Sequence, residues 1–142
     1  MENLILKKGL YSVNDDIKKE ELFFSGLHTF NTWSYFDAHE IWEDLWSEYY
    51  LKDRDFIQGL IQLAVCFVHL QNNNINGARS LLNKSIKKLH GFSHDHRNIN
   101  LKELKKIMNK LNLELELINN AAEFDWSNCP RILLNEWYSI IY

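Results

Sequence analysis

Residues 35–46, with the sequence YFDAHEIWEDLW, constrain the fold of this chain more than any other segment. Polar and large apolar residues recur here at the 3.6-residue period of an α-helix, which puts positions i, i+3, i+4 and i+7 on one face. That face carries His39, Trp42, Glu43 and Trp46. If the tryptophans are buried, the histidine and the glutamate on the same face also lose contact with water and need hydrogen-bonding partners within the protein. We therefore expect a helix with a polar site on its buried side.

The composition indicates one helical domain. A chain of 142 residues with 46% hydrophobic residues can build one packed core, while one proline and five glycines are too few for an all-β chain with many tight turns. Two cysteines make no disulfide framework, which favours a reducing compartment and a cytoplasmic protein. The longest apolar run falls short of the ~20 residues that cross a bilayer, so no membrane contact is expected.

Five helices are predicted from apolar periodicity and capping residues. After an arm of residues 1–14, the Asn-Asp-Asp sequence at 14–16 resembles the capped start of a first helix that ends near Phe30. Ser34 and Asp37 have capping-box spacing for the second helix, and Asn100 with Glu103 starts the fifth. The second and fourth helices are expected at about 35–50 and 75–90. The third follows a connection at 51–53 and carries an apolar run at 56–70, and the fifth starts near residue 100 and carries apolar residues as far as 115.

A C-terminal tail is expected to pack back on these helices. It covers residues 121–142, is partly extended around Pro130, and carries the apolar residues Phe124, Trp126, Ile132, Leu133, Leu134 and Trp137. We therefore predict a single all-helical domain over residues 1–142, with its core at about 15–120.

A weak internal repeat predicts how the helices are arranged. A shift of 40 residues aligns the apolar pair Phe30 and Leu70 and the small pair Ala38 and Ala78. A small residue early in a helix lets the two helices of a hairpin approach closely, as in helical repeat proteins. We expect two stacked antiparallel hairpins, closed by the fifth helix and the tail, because two repeats are fewer than an open solenoid usually needs.

Several motifs in register resemble a known family. They are Gly26, YFDAHEIWEDLW at 35–46, RDFIQGLIQLA at 54–64, His69, and NGARSLL at 76–82. In this order they resemble the bacterial family named domain of unknown function 309, over about residues 20–110. The family's motif residues would map onto His39, Glu40, Glu43, Trp46, Gln58, Gly59, Gln62 and His69, with Ala78 and Arg79 in the later element. The resemblance implies a small all-helical fold and transfers no activity.

The third helix supplies the partners that the polar face of the second would need. Gln58, Gln62 and His69 share a side at helical spacing, and if the two helices pack together they could face His39 and Glu43. Arg79, just inside the fourth helix, is the cation that could neutralise a buried Glu43. A structural hydrogen-bond network or a small-molecule pocket would both account for this arrangement.

A metal site is the alternative interpretation. His39 and Glu43 have the i, i+4 spacing of a zinc helix, His69 could be a third ligand, and Glu40 could act as base toward a bound water. The expected function is therefore a non-catalytic binding or interaction protein with no cofactor, and a metal-dependent hydrolase is the competitor. The partner is expected to be a protein or a small molecule of unknown identity.

Nucleic acid is not expected as a partner. Residues 84–110 hold eight Lys or Arg side chains against two acids, but no aromatic residues alternate with the lysines as a base-stacking surface requires. The oligomeric state is not specified by the sequence.

Overall fold

The structure, a computed structural model, describes the backbone of residues 2–135 and the side chains of residues 13–135. Its five α-helices are α1 (Glu2–Asn31), α2 (Tyr35–Glu48), α3 (Arg54–Gln71), α4 (Ile75–His90) and α5 (Leu101–Leu117). Short 3₁₀ turns lie at His96–Asn98, Ala121–Glu123 and Trp126–Asn128. Between residues 2 and 135 the only β-type pairing is an isolated bridge of Ile99 with Leu134. The predicted all-α fold with five main helices is confirmed.

Two predicted helix starts are wrong in detail. α1 begins at Glu2 and runs through Asn14. Asn14 does not start the helix, because its preference for the N-cap position is worth only about 1 kcal/mol and the residues before it are good helix formers. At α2 the side chain of Ser34 makes no capping hydrogen bond, so there is no capping box. The start of α5 is as expected, since Asn100 Oδ1 accepts from the Glu103 N–H at 3.2 Å.

The helices pack in chain order as two hairpins. α1 contacts α2, α2 contacts α3, α3 contacts α4, and α4 contacts α5. Ala38 and Ala78 are both fully buried, as the predicted repeat requires. Most of the inward side of α3 is apolar and buried, including Phe56, Leu60 and Phe67. The central position of α3, between α2 and α4, explains this burial.

The two hairpin turns share one backbone geometry. In the first, Trp33 N–H donates to Phe30 O at 3.0 Å and Ser34 N–H donates to Thr29 O at 3.1 Å. In the second, Asn73 and Asn74 make the same two bonds to the carbonyls of Leu70 and His69. Both are Schellman motifs, which end a helix with one residue in the left-handed region. The 40-residue repeat therefore extends to the turns.

The tail packs against α1, as expected. Asn31 Nδ2 donates to Ile132 O at 2.9 Å, and Ile132 N–H donates back to Asn31 Oδ1 at 2.8 Å. Phe124 and Ile132 are buried. Trp137, which was also predicted to pack here, lies outside the described residues, and the division of residues 1–142 into arm, core and tail stays a prediction. In the part of the chain described, no helix has both the length and the apolar character needed to cross a membrane.

Candidate functional site

The predicted polar face of α2 lies at the edge of the bundle. The buried side of α2 is formed by Tyr35, Ala38, Trp42 and Leu45. His39 Nε2 lies 3.6 Å from Glu43 Oε1, and the two side chains expose 21% and 57% of their surface. The prediction that Glu43 is buried is therefore wrong. Trp42 belongs to both possible faces, and packing against α1 and α3 selects the more apolar one.

The polar residues of α3 do not meet those of α2. Gln58, Gln62 and His69 are each partly buried, and His69 Nδ1 lies 3.3 Å from Asn74 Nδ2. Across the described side chains, no hydrogen bond joins these three residues to His39 or Glu43. Gln62 Oε1 is buried without a partner. The expected network between α2 and α3 is not formed.

Arg79 has a different partner from the one predicted. Its Nε donates to Leu115 O at 2.8 Å and its Nη2 donates to Ile118 O at 2.6 Å. Carbonyls at a helix C-terminus have no partners within the helix and attract cations. Arg79 therefore caps α5 and does not neutralise Glu43.

Two further predicted site residues, Glu40 and Trp46, also do not join a polar site. Glu40 is exposed. The indole of Trp46 is covered by Arg54, whose guanidinium carbon lies 3.9 Å above the ring, and its Nε1 is buried without a partner. The stacking is a cation–π contact, which holds the start of α3 against the end of α2.

A metal centre finds no support in this geometry. Over the described residues, no three His, Cys, Asp or Glu side chains converge as a metal-binding group. His39, Glu43 and His69, the predicted candidates, do not form such a group.

A pocket with aromatic walls lies where the two hairpin turns meet the tail. It is lined by Trp33 from the first turn, Tyr35 from the start of α2, Gln71 from the end of α3, and Trp126 from the tail. We call it the aromatic pocket. Its volume is about 410 Å³, which lies in the range of small-molecule sites. Tyr35 is buried and stacks on Phe67 with ring centroids 4.8 Å apart, so this wall is rigid.

Trp33 occupies an unfavourable backbone position in this pocket. Its φ is 68°, in the left-handed region that glycine and asparagine adopt most readily. The equivalent residue of the second hairpin is Asn73, with φ of 58°. Trp33 exposes 67% of its surface, so burial does not compensate for this conformation.

The hydroxyl of Tyr35 lies in a dry environment beside the tail. It has no hydrogen bond of good geometry, and the thiol of Cys129, a weak hydrogen-bonding group, lies near it. Burial raises the pKa of Tyr35, and it raises the pKa of Cys129 to about 11 although the Tyr35 hydroxyl lowers it. Burial also raises the pKa of Cys66. These three groups are therefore protonated at neutral pH, and Cys66 is the buried thiol that its apolar neighbours in the sequence suggest.

Tyr35 and Trp126 were expected in the second helix and in the tail, but neither was predicted to form a site, and no role was predicted for Trp33. Trp33 lies in the polar break between two predicted helices, and a large aromatic residue in such a turn was the available signal. Trp126 follows α5 by nine residues, so only the path of the tail brings it to the pocket.

Comparison with known proteins supports the sequence resemblance over part of its expected length. None of the curated proteins compared with the chain matches it. The family model described as domain of unknown function 309 matches residues 23–81, which span α2 and α3 and parts of α1 and α4. The match includes every predicted motif residue from Gly26 to Arg79 and ends before residue 110, to which the resemblance was expected to extend. Over residues 23–81 the chain is therefore similar to the domain of unknown function 309 family.

Proposed function

We propose that this protein is a non-catalytic binding protein that holds a small organic ligand in the aromatic pocket. The observation that carries the proposal is Trp33, a large, exposed side chain held in the left-handed region at the pocket wall. For any residue other than glycine, this conformation lowers the stability of the folded state by roughly 1–2 kcal/mol. Strained residues of this kind cluster at functional sites, where the side chain has a use that outweighs the loss of stability.

The shape and chemistry of the pocket fit a small molecule. Trp33, Tyr35 and Trp126 give it apolar walls, and Gln71 adds one amide that can donate and accept hydrogen bonds. A wider groove of about 780 Å³ lies between α5 and residues 127–131, but it mixes Lys110, Glu114 and Arg131 with apolar residues and has no aromatic walls. The aromatic pocket is therefore the better candidate.

A binding role fits the groups that line the aromatic pocket. Its four lining residues offer no carboxylate, imidazole or thiol, the usual general bases and nucleophiles. The hydroxyl of Tyr35, which is one of the four, is held protonated at neutral pH because burial raises its pKa. We place this function in the cytoplasm, where unpaired cysteines such as Cys66 and Cys129 stay reduced.

NMR of the protein with fluorine- or nitrogen-15-labelled tryptophans tests the proposal. A library of small neutral and charged organic compounds is added, and the tryptophan signals are followed. Compounds that occupy the aromatic pocket should shift the signals of Trp33 and Trp126 together. Trp33→Asn should weaken their binding by about tenfold or more, the effect of losing roughly 1.4 kcal/mol of aromatic contact.

Phe36→Asn is the matched control, because it removes an aromatic side chain that is 52% exposed and does not line the pocket. This variant should bind the same compounds as the parent does. Equal binding by the parent and Trp33→Asn, or hits that shift only the other tryptophans, would contradict the proposal.

A further inference from the structure

Two acidic residues adjoin the lining residues of the aromatic pocket along the chain. We infer that the pocket takes an organic ammonium cation with apolar substituents, such as a quaternary alkylammonium. The inference rests on the proposed binding function and adds the chemical class of the ligand. It is carried by the acidic residues that adjoin the lining residues in sequence and by the tryptophans of the pocket walls.

Along the chain, the fixed charges that adjoin the lining residues are acidic. Within two positions of Trp33, Tyr35, Gln71 and Trp126 the chain holds two aspartates and no lysine or arginine. These are Asp37 and Asp125, and both are exposed. Negative charges on these adjoining residues favour a positive ligand over a negative one.

Asp125 is fixed in its ionised form beside Trp126. Its Oδ1 accepts hydrogen bonds from the Ser127 N–H at 3.0 Å and from the Ser127 hydroxyl at 2.7 Å. These bonds lower the pKa of the Asp125 carboxyl. A carboxylate on the residue that precedes Trp126 can attract a cation that rests on the indole.

Arg79, the cation predicted to belong to a site, does not line the pocket. Arg79 is engaged by the carbonyls of Leu115 and Ile118, which accept two of its N–H groups. These carbonyl oxygens partly compensate the positive charge of Arg79. Arg79 therefore does not offset the negative charges of the two aspartates.

The aromatic walls suit an alkylated cation. Tryptophan has the strongest cation–π attraction of the aromatic side chains, and quaternary ammonium groups are bound in this way. A volume of about 410 Å³ leaves room for apolar substituents beyond the charged centre. Gln71 can hydrogen-bond a hydroxyl or carbonyl of the ligand.

Choline and its neutral isostere 3,3-dimethylbutan-1-ol test the inference, because they share one shape and differ in charge. Titrated into the full-length protein at low ionic strength, choline should shift the NMR signals of Trp33 and Trp126 with a Kd at least about fivefold lower than that of the isostere, the ratio that a partly desolvated cation–π contact supplies. Added salt should reduce this ratio.

Asp125→Asn removes the negative charge but keeps the local structure, because an asparagine oxygen can still accept the hydrogen bond from the Ser127 N–H. It should weaken choline binding severalfold and leave the isostere unaffected. Asp44→Asn, an exposed carboxylate on α2 outside the pocket lining, is the control and should change neither. Equal or tighter binding of the neutral isostere would overturn the inference and leave the proposed function standing. If neither compound shifts Trp33 or Trp126 while other compounds do, the ammonium assignment alone is wrong.

Discussion

Trp33 shows how one residue can be placed against its own backbone preference. The first hairpin turn ends α1 with Trp33 in the left-handed region, and the second ends α3 with Asn73 in the same region. Asparagine tolerates this conformation because its short side chain can hydrogen-bond locally, whereas a bulky residue there is an outlier. The two turns thus form an internal comparison within one chain.

Trp33→Asn should stabilise the protein. The change relieves the backbone strain and removes few buried contacts, so we expect the free energy of unfolding to rise by roughly 0.5–1 kcal/mol. Urea unfolding followed by far-UV circular dichroism measures this change. The reverse substitution in the second turn, Asn73→Trp, should lower the free energy of unfolding by a similar amount. A Trp33→Asn variant less stable than the parent would show that Trp33 makes stabilising contacts that outweigh the strain.

At the scale of the helices, the close contact between α1 and α2 depends on a glycine, Gly26, which has no side chain. Trp42 is fully buried, and its indole lies directly against Gly26. The Trp42 Nε1–H donates to Phe23 O at 3.2 Å, so the indole has a fixed orientation. A Cβ atom on Gly26 would overlap the indole ring, which has no room to move away from α1.

Gly26→Ala should therefore destabilise the protein although alanine is the better helix former. Overpacking a core contact costs typically 1–3 kcal/mol, more than the roughly 1 kcal/mol that replacing glycine gains within a helix. Thermal and urea unfolding should both show the loss. Gly91→Ala is the control, since nothing lies within 4 Å of a Cβ at that position, and its stability should stay close to that of the parent. Equal stability of Gly26→Ala and Gly91→Ala would mean that α1 and α2 separate without loss of packing.

The number and order of the helices could be predicted from the sequence because these properties depend on local periodicity. The 3.6-residue apolar pattern marks each helix, and the match of Ala38 with Ala78 marks the two hairpins. The long continuation of α1 before Asn14 was missed because a capping residue is only a weak local preference.

The rotation of α2 about its own axis could not be predicted from the sequence. Trp42 fits a stripe with His39 and Glu43 and equally fits one with Tyr35 and Leu45. The choice depends on α1 and α3, against which the more apolar stripe buries greater area. The aromatic pocket was missed for a related reason, since three of its walls come from separate turns and helix ends that only the folded chain brings together.

At the scale of the whole molecule, the two ends of the bundle have different chemistry. The aromatic pocket lies at the end with both hairpin turns. At the other end, Asp53 joins the α2–α3 connection to the loop before α5. Asp53 accepts two hydrogen bonds from Arg97, and His96 Nε2 lies 2.7 Å from its Oδ2. The guanidinium of Arg97 also lies 4.7 Å above the ring of Phe23 in α1. This ionic cluster therefore links three parts of the chain that are distant in sequence.

The pKa of Asp53 makes this link dependent on pH. Burial alone would raise the pKa, but the hydrogen bonds and charges of Arg97 and His96 outweigh it and lower the pKa from 3.8 to about 2. A carboxyl whose pKa is lower in the folded state stabilises that state above its ordinary pKa. The contribution is thus complete above about pH 4 and is lost as the pH falls toward 2. A shift of this size corresponds to about 2 kcal/mol.

Asp53→Asn should lower the free energy of unfolding by about 2 kcal/mol at neutral pH, because the ionised carboxylate that Arg97 and His96 hydrogen-bond is gone. The gap between the two proteins should narrow as the pH is lowered below 4, since the parent then loses the same contribution. Urea unfolding at a series of pH values measures both effects. Asp55→Asn, which removes an exposed carboxylate 3.3 Å from Lys88, is the control and should change stability by less than about 1 kcal/mol. A gap that stays constant from pH 7 to pH 3 would show that Asp53 acts through packing and not through its charge.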